Sequence, residues 1–162
     1  MTLRTLALAA ALVLAAGPAD AFRVQQRPLA PSESVWKPAD TPPGGVAWSV
    51  LESTGEKPGP DARSFTRPAF PAAVQALGGR TVKVAGYMLP LQPGERQTHF
   101  ILLAYPPDCP FHLNPGPQQY IEVKTSKPVA FNYGVTVIEG RLQLLPADPS
   151  GVFYRMENAR AL

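Results

Sequence analysis

The chain has 162 residues, of which 45% are hydrophobic and 17% charged, with a formal net charge of +3. That composition suits one globular domain with a real core and leaves too little chain for two. Lysine and arginine form no cluster, which speaks against a nucleic-acid footprint, and a lone cysteine, Cys109, rules out an internal disulfide.

The first residues read as an export signal. Arg4 gives a short positive start, the run from Leu6 to Ala16 is wholly apolar, Gly17 and Pro18 break it, and Ala19-Asp20-Ala21 forms an A-x-A cleavage site. A membrane span needs about 20 apolar residues, so residues 1–21 are expected to be a cleaved signal peptide and not an anchor. No cysteine stands at the cleavage site, so a lipoprotein is not expected. The expected location is the periplasm, as a soluble protein with no stable membrane insertion after cleavage.

Residues 22–45 hold Pro28, Pro31, Pro38, Pro42 and Pro43 and read as an extended arm, with Trp36 as an anchor. A single domain is expected over 46–162. Trp48 opens a short apolar patch, WSVL, that fits a strand or a helical turn. Residues 53–68 read as a polar loop. Phe70–Leu77 predicts one short helix, with Pro71 in its first turn and Gly78-Gly79 as its stop.

From Arg80 the apolar period becomes two. Strands are predicted at 81–89, at 98–105 (buried on both faces), at 119–124, at 135–145 with Gly140 as a bulge or bend, and at 151–157. VKVAGYM and VTVIEGRL share a V-x-V step followed by a glycine, and a strand glycine marks a bulge or sharp coil. The predicted class is therefore mainly β: a small five-stranded barrel of the OB type, with an open β-sandwich as the alternative.

The segment from Pro106 to Gln119 joins two predicted strands and carries five prolines, the cysteine and one of two histidines. Cys109 and His112 have C-x-x-H spacing, which lets a thiolate and an imidazole converge on zinc or copper. His99 is the third candidate ligand, with Asp108, Met88 or water as the fourth. A one-thiol redox site at Cys109 and an axial haem ligand at Cys109-Pro110 compete with that reading. So does a structural one, which ranks ahead of them: Cys109 packs under the loop and His112 satisfies a backbone carbonyl. Tyr87, Tyr105, Phe111, Tyr120, Phe131 and Tyr133 could line a ligand groove or form an aromatic core. The sequence holds no hydrolase elbow, zincin motif, phosphate loop or dinucleotide fingerprint, so an enzyme is not expected.

The stretch Gly86-Tyr87-Met88-Leu89-Pro90-Leu91, followed by a loop with Cys109, Pro110, His112, Pro115 and Pro117, resembles an uncharacterised family of exported bacterial proteins with a GYM-x-PL motif and a Cys/His/Pro-rich loop. The resemblance covers roughly 46–158 and implies a periplasmic or lipoprotein setting beside ABC-type export or metal-homeostasis systems. It implies no catalytic residues. His112 stands where a redox pair would need a second cysteine, which weakens disulfide exchange. The functional expectation is a non-enzymatic periplasmic accessory protein that binds or delivers a transition metal to a transporter. The alternative is a metal-free interaction module of an envelope or ABC-transporter complex.

Overall fold

The structure, a computed structural model, describes residues 37–60, 66–107 and 115–162. The signal segment, Trp36, Asp108, Cys109, Pro110, Phe111 and His112 lie outside the described residues.

Five strands carry the fold: β3 (Thr81–Pro90), β4 (Arg96–Leu103), β5 (Tyr120–Ala130), β6 (Val135–Leu144) and β7 (Tyr154–Ala161). They close a barrel in the order β3-β4-β5-β7-β6. All neighbours are antiparallel except β5 and β7, which run parallel. Closure is made by the ladder between β3 and β6, from Thr81 opposite Arg141 to Tyr87 opposite Val135. The architecture is the OB-like barrel, and the sandwich alternative is set aside.

Alternation explains what is inside. Val82, Val84 and Met88 of β3, Phe100 and Leu102 of β4, Ile121 and Val123 of β5, Ile138 and Leu142 of β6, and Tyr154 and Met156 of β7 are buried together. Two glycines let this ring close tightly. A Cβ on Gly86 would stand 2.6 Å from the Leu103 carbonyl oxygen. One on Gly140 would stand 2.6 Å from Met156 Cγ and 3.0 Å from Ala159 Cα. The register of β6 against β7 shifts between Glu139 and Arg141, so Gly140 sits at the irregularity its sequence context suggests. Gly86 sits where β3 changes partner: residues 81–87 pair with β6 and 87–90 with β4.

One end is plugged by short helices. The WSVL patch is helical, in α1 (Trp48–Glu52). Trp48 Nε1 donates to the Ala85 carbonyl at 2.7 Å, and the Tyr154 hydroxyl donates to the Leu51 carbonyl at 2.7 Å. Thr54 Oγ1 lies 2.5 Å from the same hydroxyl. Burial pushes the Tyr154 phenol up to about 12, so it stays a neutral hydrogen-bonding group in the core. Helix α2 (Ala72–Gln75) is shorter than predicted, with Pro71 as its N-cap. The chain then turns at Gly79, whose φ of 75° favours glycine. Phe70 stacks its edge on Phe153, with centroids 6.5 Å apart, and tilts against Tyr154 at 5.9 Å.

Four local readings differ from the structure. The polar loop at 53–68 contains a small hairpin, β1 (Gly55–Lys57) against β2 (Arg67–Ala69). β1 buries nothing, so hydrophobic periodicity carries no trace of it. β5 runs six residues past Lys124, through Pro128. Its far half meets Gln97 and Arg96 of β4 beyond a register shift, and Arg96 Nη2 donates to the Pro128 carbonyl at 2.9 Å. β7 begins at Tyr154, not Gly151, and continues to Ala161. β4 is covered on its outer side only in part: Phe100 and Leu102 are fully inside and Leu103 is also buried, but Ile101 and His99 face outward and are half-covered. The last residues of the expected arm lie against the barrel. Ala39 N–H donates to the Ala104 carbonyl at 2.9 Å, Gly45 N–H closes a turn on Pro42, and Val46 N–H reaches the Lys83 carbonyl.

Candidate functional site: an apolar groove on the motif strand

The GYM-x-PL motif occupies the second half of β3, where the strand leaves β6 and takes up β4. Met88, Leu89 and Leu91 break strict alternation, so a period-two strand cannot turn all of them inward. Met88 is buried, whereas Leu89 is 41% and Leu91 49% exposed. Two connectors flank this strand. Pro107 follows the end of β4, and Phe131–Tyr133 begin the turn from β5 to β6. Together Tyr87, Met88, Leu89, Pro90, Pro107, Phe131 and Tyr133 line a cavity of about 350 Å³.

Its upper wall is a ring pair. Phe131 and Tyr133 stand with centroids 4.9 Å apart and planes at 72°, the edge-to-face arrangement that aromatic quadrupoles favour. Phe131 is half-buried, while Tyr133 is 91% exposed. Val135, beside Tyr87 in the ladder, is 48% exposed. The lining thus offers ring faces, proline edges and aliphatic carbons, with two phenolic hydroxyls as its polar handles. That is chemistry for holding an apolar or proline-containing segment by area and shape.

Other candidate residues are placed elsewhere. His99 projects from the outer face of β4 and is held by Glu122 of β5, with Nε2 to Oε1 at 2.8 Å. Glu122 also accepts from Arg155 Nε at 2.7 Å, and Arg155 Nη2 donates to Asp148 at 3.3 Å. Burial opposes the charge on Glu122. The hydrogen bonds from Arg155 and His99, with the charges of Arg155 and Lys124, outweigh it and hold the carboxyl below its usual range. The same pairing holds the Arg155 guanidinium charged against the cost of its own burial. Among the described residues no group of three or more histidine, cysteine, aspartate and glutamate side chains could hold a metal.

Of the six aromatic residues expected at a groove or a core, Tyr87, Phe131 and Tyr133 line the groove. Tyr105 instead donates to Glu52 Oε1 at 3.0 Å, a carboxylate that also accepts from Gln119 at 3.2 Å. Burial, then the Glu52 charge, raises its phenol. Tyr120 joins Pro115, Pro117, Glu56 and Ser150 around a separate polar cleft of about 290 Å³. Burial, then Asp148 and Glu122, raise its phenol. The core aromatics are Trp48, Phe100, Phe153 and Tyr154. Sequence reading missed Pro107 and Leu89 as groove residues. The doubled apolar parity of Met88-Leu89 was the available signal. It missed Glu122 and Arg155 altogether, because only the parallel pairing of β5 with β7 sets them side by side.

A closed five-stranded mixed barrel with its motif on an exposed rim defines the class. The family model described as "Protein of unknown function (DUF3299)" matches residues 52–160, and the chain belongs to that family. The crystal structure of a DUF3299 family protein from Pseudomonas aeruginosa PAO1 is similar at 25% identity, covering 73% of this chain and 95% of that one, with a TM-score of 0.46. The comparison with curated proteins gave no match. No helix among the described residues is long and apolar enough to cross a membrane.

Proposed function

We propose that the protein is a non-enzymatic accessory protein of the periplasm, an interaction module that holds an extended, proline-containing segment of an envelope or transporter partner in the groove on β3. The observation that carries this reading is Tyr133, 91% exposed and set edge-on against Phe131 in a groove that Tyr87, Met88, Leu89, Pro90 and Pro107 also line. Aromatic grooves of this kind bind polyproline-type segments, whose conformation is set before binding and so loses little entropy. Exposed tyrosine is also the residue type most enriched among binding hot spots, with tryptophan and arginine. Metal delivery through Cys109 and His112 draws on residues outside the described ones, and His99, its third ligand, is engaged by Glu122. The interaction reading is therefore the better supported of the two.

The test is titration with a decaproline peptide, followed by chemical shifts of the tyrosine rings. Shifts should concentrate at Tyr87 and Tyr133, and Tyr133→Ser should weaken binding at least tenfold, the equivalent of about 1.4 kcal/mol. Shifts that map to the His99–Glu122 face, or equal binding by Tyr133→Ser, would overturn the proposal.

A further inference from the structure

The apolar ground around the groove is wider than one bound segment covers. We infer that this face is the contact surface of a symmetric dimer, in which a second copy of the chain seats itself on the groove and on the exposed side chains beside it. The dimer stands on its own observations, and only its competition with a proline-containing partner rests on the docking reading above.

The exposed carbon is gathered, not scattered. Leu89, Leu91, Tyr133 and Val135 are four of the five large hydrophobic residues exposed among the described residues. Tyr87 lies directly opposite Val135 in the ladder between β3 and β6. Leu89 is the next outward residue of β3, and Leu91 follows the end of that strand. Phe131 and Tyr133 meet at 4.9 Å and share the groove lining with Tyr87 and Leu89. Single exposed hydrophobic residues are ordinary on a protein surface, whereas a contiguous patch marks an interface.

Area decides the occupant. With the half-buried rings of Tyr87 and Phe131, these side chains present on the order of 500 Å² to solvent. A homodimer of standard size covers about 800 Å² of each copy and is about 65% apolar, which is again about 500 Å² of apolar surface. A segment seated in the groove leaves part of this wet, because Leu91 and Val135 lie outside the groove lining. A second copy covers both.

Shape and charge agree. A two-fold contact pairs a surface with itself, so that surface must carry a projection and a hollow together. Tyr133 projects, and the groove beside it holds about 350 Å³. A cavity of about 150 Å³ accepts a benzene-sized ring, so the groove has room for the Tyr133 ring of the other copy. Four residues along both strands from Tyr87 and Val135, Lys83 faces Glu139, which is bound by Arg160. At the other end the Phe131 N–H donates to the Glu95 carbonyl at 2.7 Å, which brings Glu95 and Arg96 to the margin. An uncharged centre inside a rim of both signs is the anatomy of a protein interface, and a mixed rim lets two identical faces meet without stacking like charges.

Sedimentation velocity between about 1 and 100 μM protein tests the dimer, with a dissociation constant expected on the order of 10 μM. Tyr133→Ser and Leu91→Lys should both remain monomers throughout that range. Lys57→Glu, on the hairpin of β1 and β2, should dimerise as the parent does. A parent that stays monomeric at about 100 μM overturns the dimer, and so do Tyr133→Ser and Leu91→Lys variants that dimerise like the parent. In either case the docking reading is judged by decaproline binding alone. Decaproline also separates the two readings when the dimer forms. Leu91→Lys keeps every groove-lining residue, so it should bind the peptide about threefold more tightly than the parent held where about a third of its chains are monomeric. The peptide should also convert the parent to monomer. If the parent dimerises through Tyr133 and Leu91 but decaproline binds neither the parent nor Leu91→Lys, the docking reading is overturned and the dimer stands. If decaproline binds and the dimer persists, the second copy is not in the groove and the dimer as drawn here is overturned. Unfolding comparisons at about 1 μM protein lie below the dissociation constant, where association adds almost nothing to apparent stability.

Discussion

Two faces of the same barrel use their side chains in opposite ways. On the outer face of β4, β5 and β7, His99, Glu122, Arg155 and Asp148 form a chain of hydrogen bonds in which each charge meets its complement. Around the end of β3, Leu89, Leu91, Val135 of β6 and Tyr133 of the turn before it stand open to solvent, with Phe131 set against the Tyr133 ring. The first face is half-buried and satisfied, so its chemistry is spent on holding strands together. The second is unsatisfied in the only sense that matters for carbon, which is exposure to water. The contrast teaches that polarity is a poor guide to function here. The face with a histidine and two carboxylates looks like a site and is internally paired, and the groove, whose described lining holds no charged residue, is the one left available.

The sharpest way to break that contrast is to disturb the strand both faces depend on. Gly86 lies under the groove, and a Cβ there would meet the Leu103 carbonyl oxygen at 2.6 Å. The obstacle is backbone in a paired strand and cannot swing aside. Gly86→Ala should cost about 3 kcal/mol, at the upper end of ordinary overpacking. Urea unfolding followed by Trp48 fluorescence measures it, through a lower midpoint at unchanged slope. A change under about 0.5 kcal/mol would mean that β3 and β4 can part at this point and that the groove floor is soft.

Next in size is the paired face. Arg155→Ala leaves Glu122 and Asp148, both with side chains 12% exposed, without their cation. A fully buried pair broken this way costs about 3–5 kcal/mol, and partial exposure brings the expectation to about 2 kcal/mol. Glu122→Gln keeps the shape and removes the charge, at about 1.5 kcal/mol near neutral pH. Its pH dependence has a definite sign. The Glu122 carboxyl is held below its ordinary value of 4.5, so its contribution is fully present above that value and is lost as pH falls through the lower folded value. The gap between parent and Glu122→Gln should narrow as acid is added from pH 5 downward. A gap that widens there would show that the carboxyl destabilises the fold and that the face is strained rather than closed.

How much of this was legible in the sequence divides along the same line. The barrel was readable, because alternating runs such as Val82-Lys83-Val84 and the two strand glycines report burial and close approach directly. The length of β5 was not, since residues 124–130 carry no alternation and include Pro128; they are held by Arg96 and Gln97 arriving from another strand. His99 was legible as an unusual residue, but its partner was not, because Glu122 lies 23 positions away in sequence. The GYM-x-PL motif was legible as a pattern, but its surroundings were not. Only the fold shows that Pro107, Phe131 and Tyr133 converge on it from two different connectors.

The smallest expected effect separates the two faces most cleanly. Tyr133→Ser removes a ring that is 91% exposed and touches little beyond Phe131, so the unfolding free energy should stay within about 0.5 kcal/mol of the parent. Burial cannot be what keeps a large apolar ring in that position. The turn around it needs no aromatic residue either, since Asn132 Nδ2 donates to Thr136 Oγ1 at 2.9 Å across it. Near-zero loss of stability combined with at least tenfold loss of decaproline binding assigns the ring to recognition. A loss of stability above about 1.5 kcal/mol would instead make Tyr133 part of the fold, and the difference between the paired face and the groove would become one of degree.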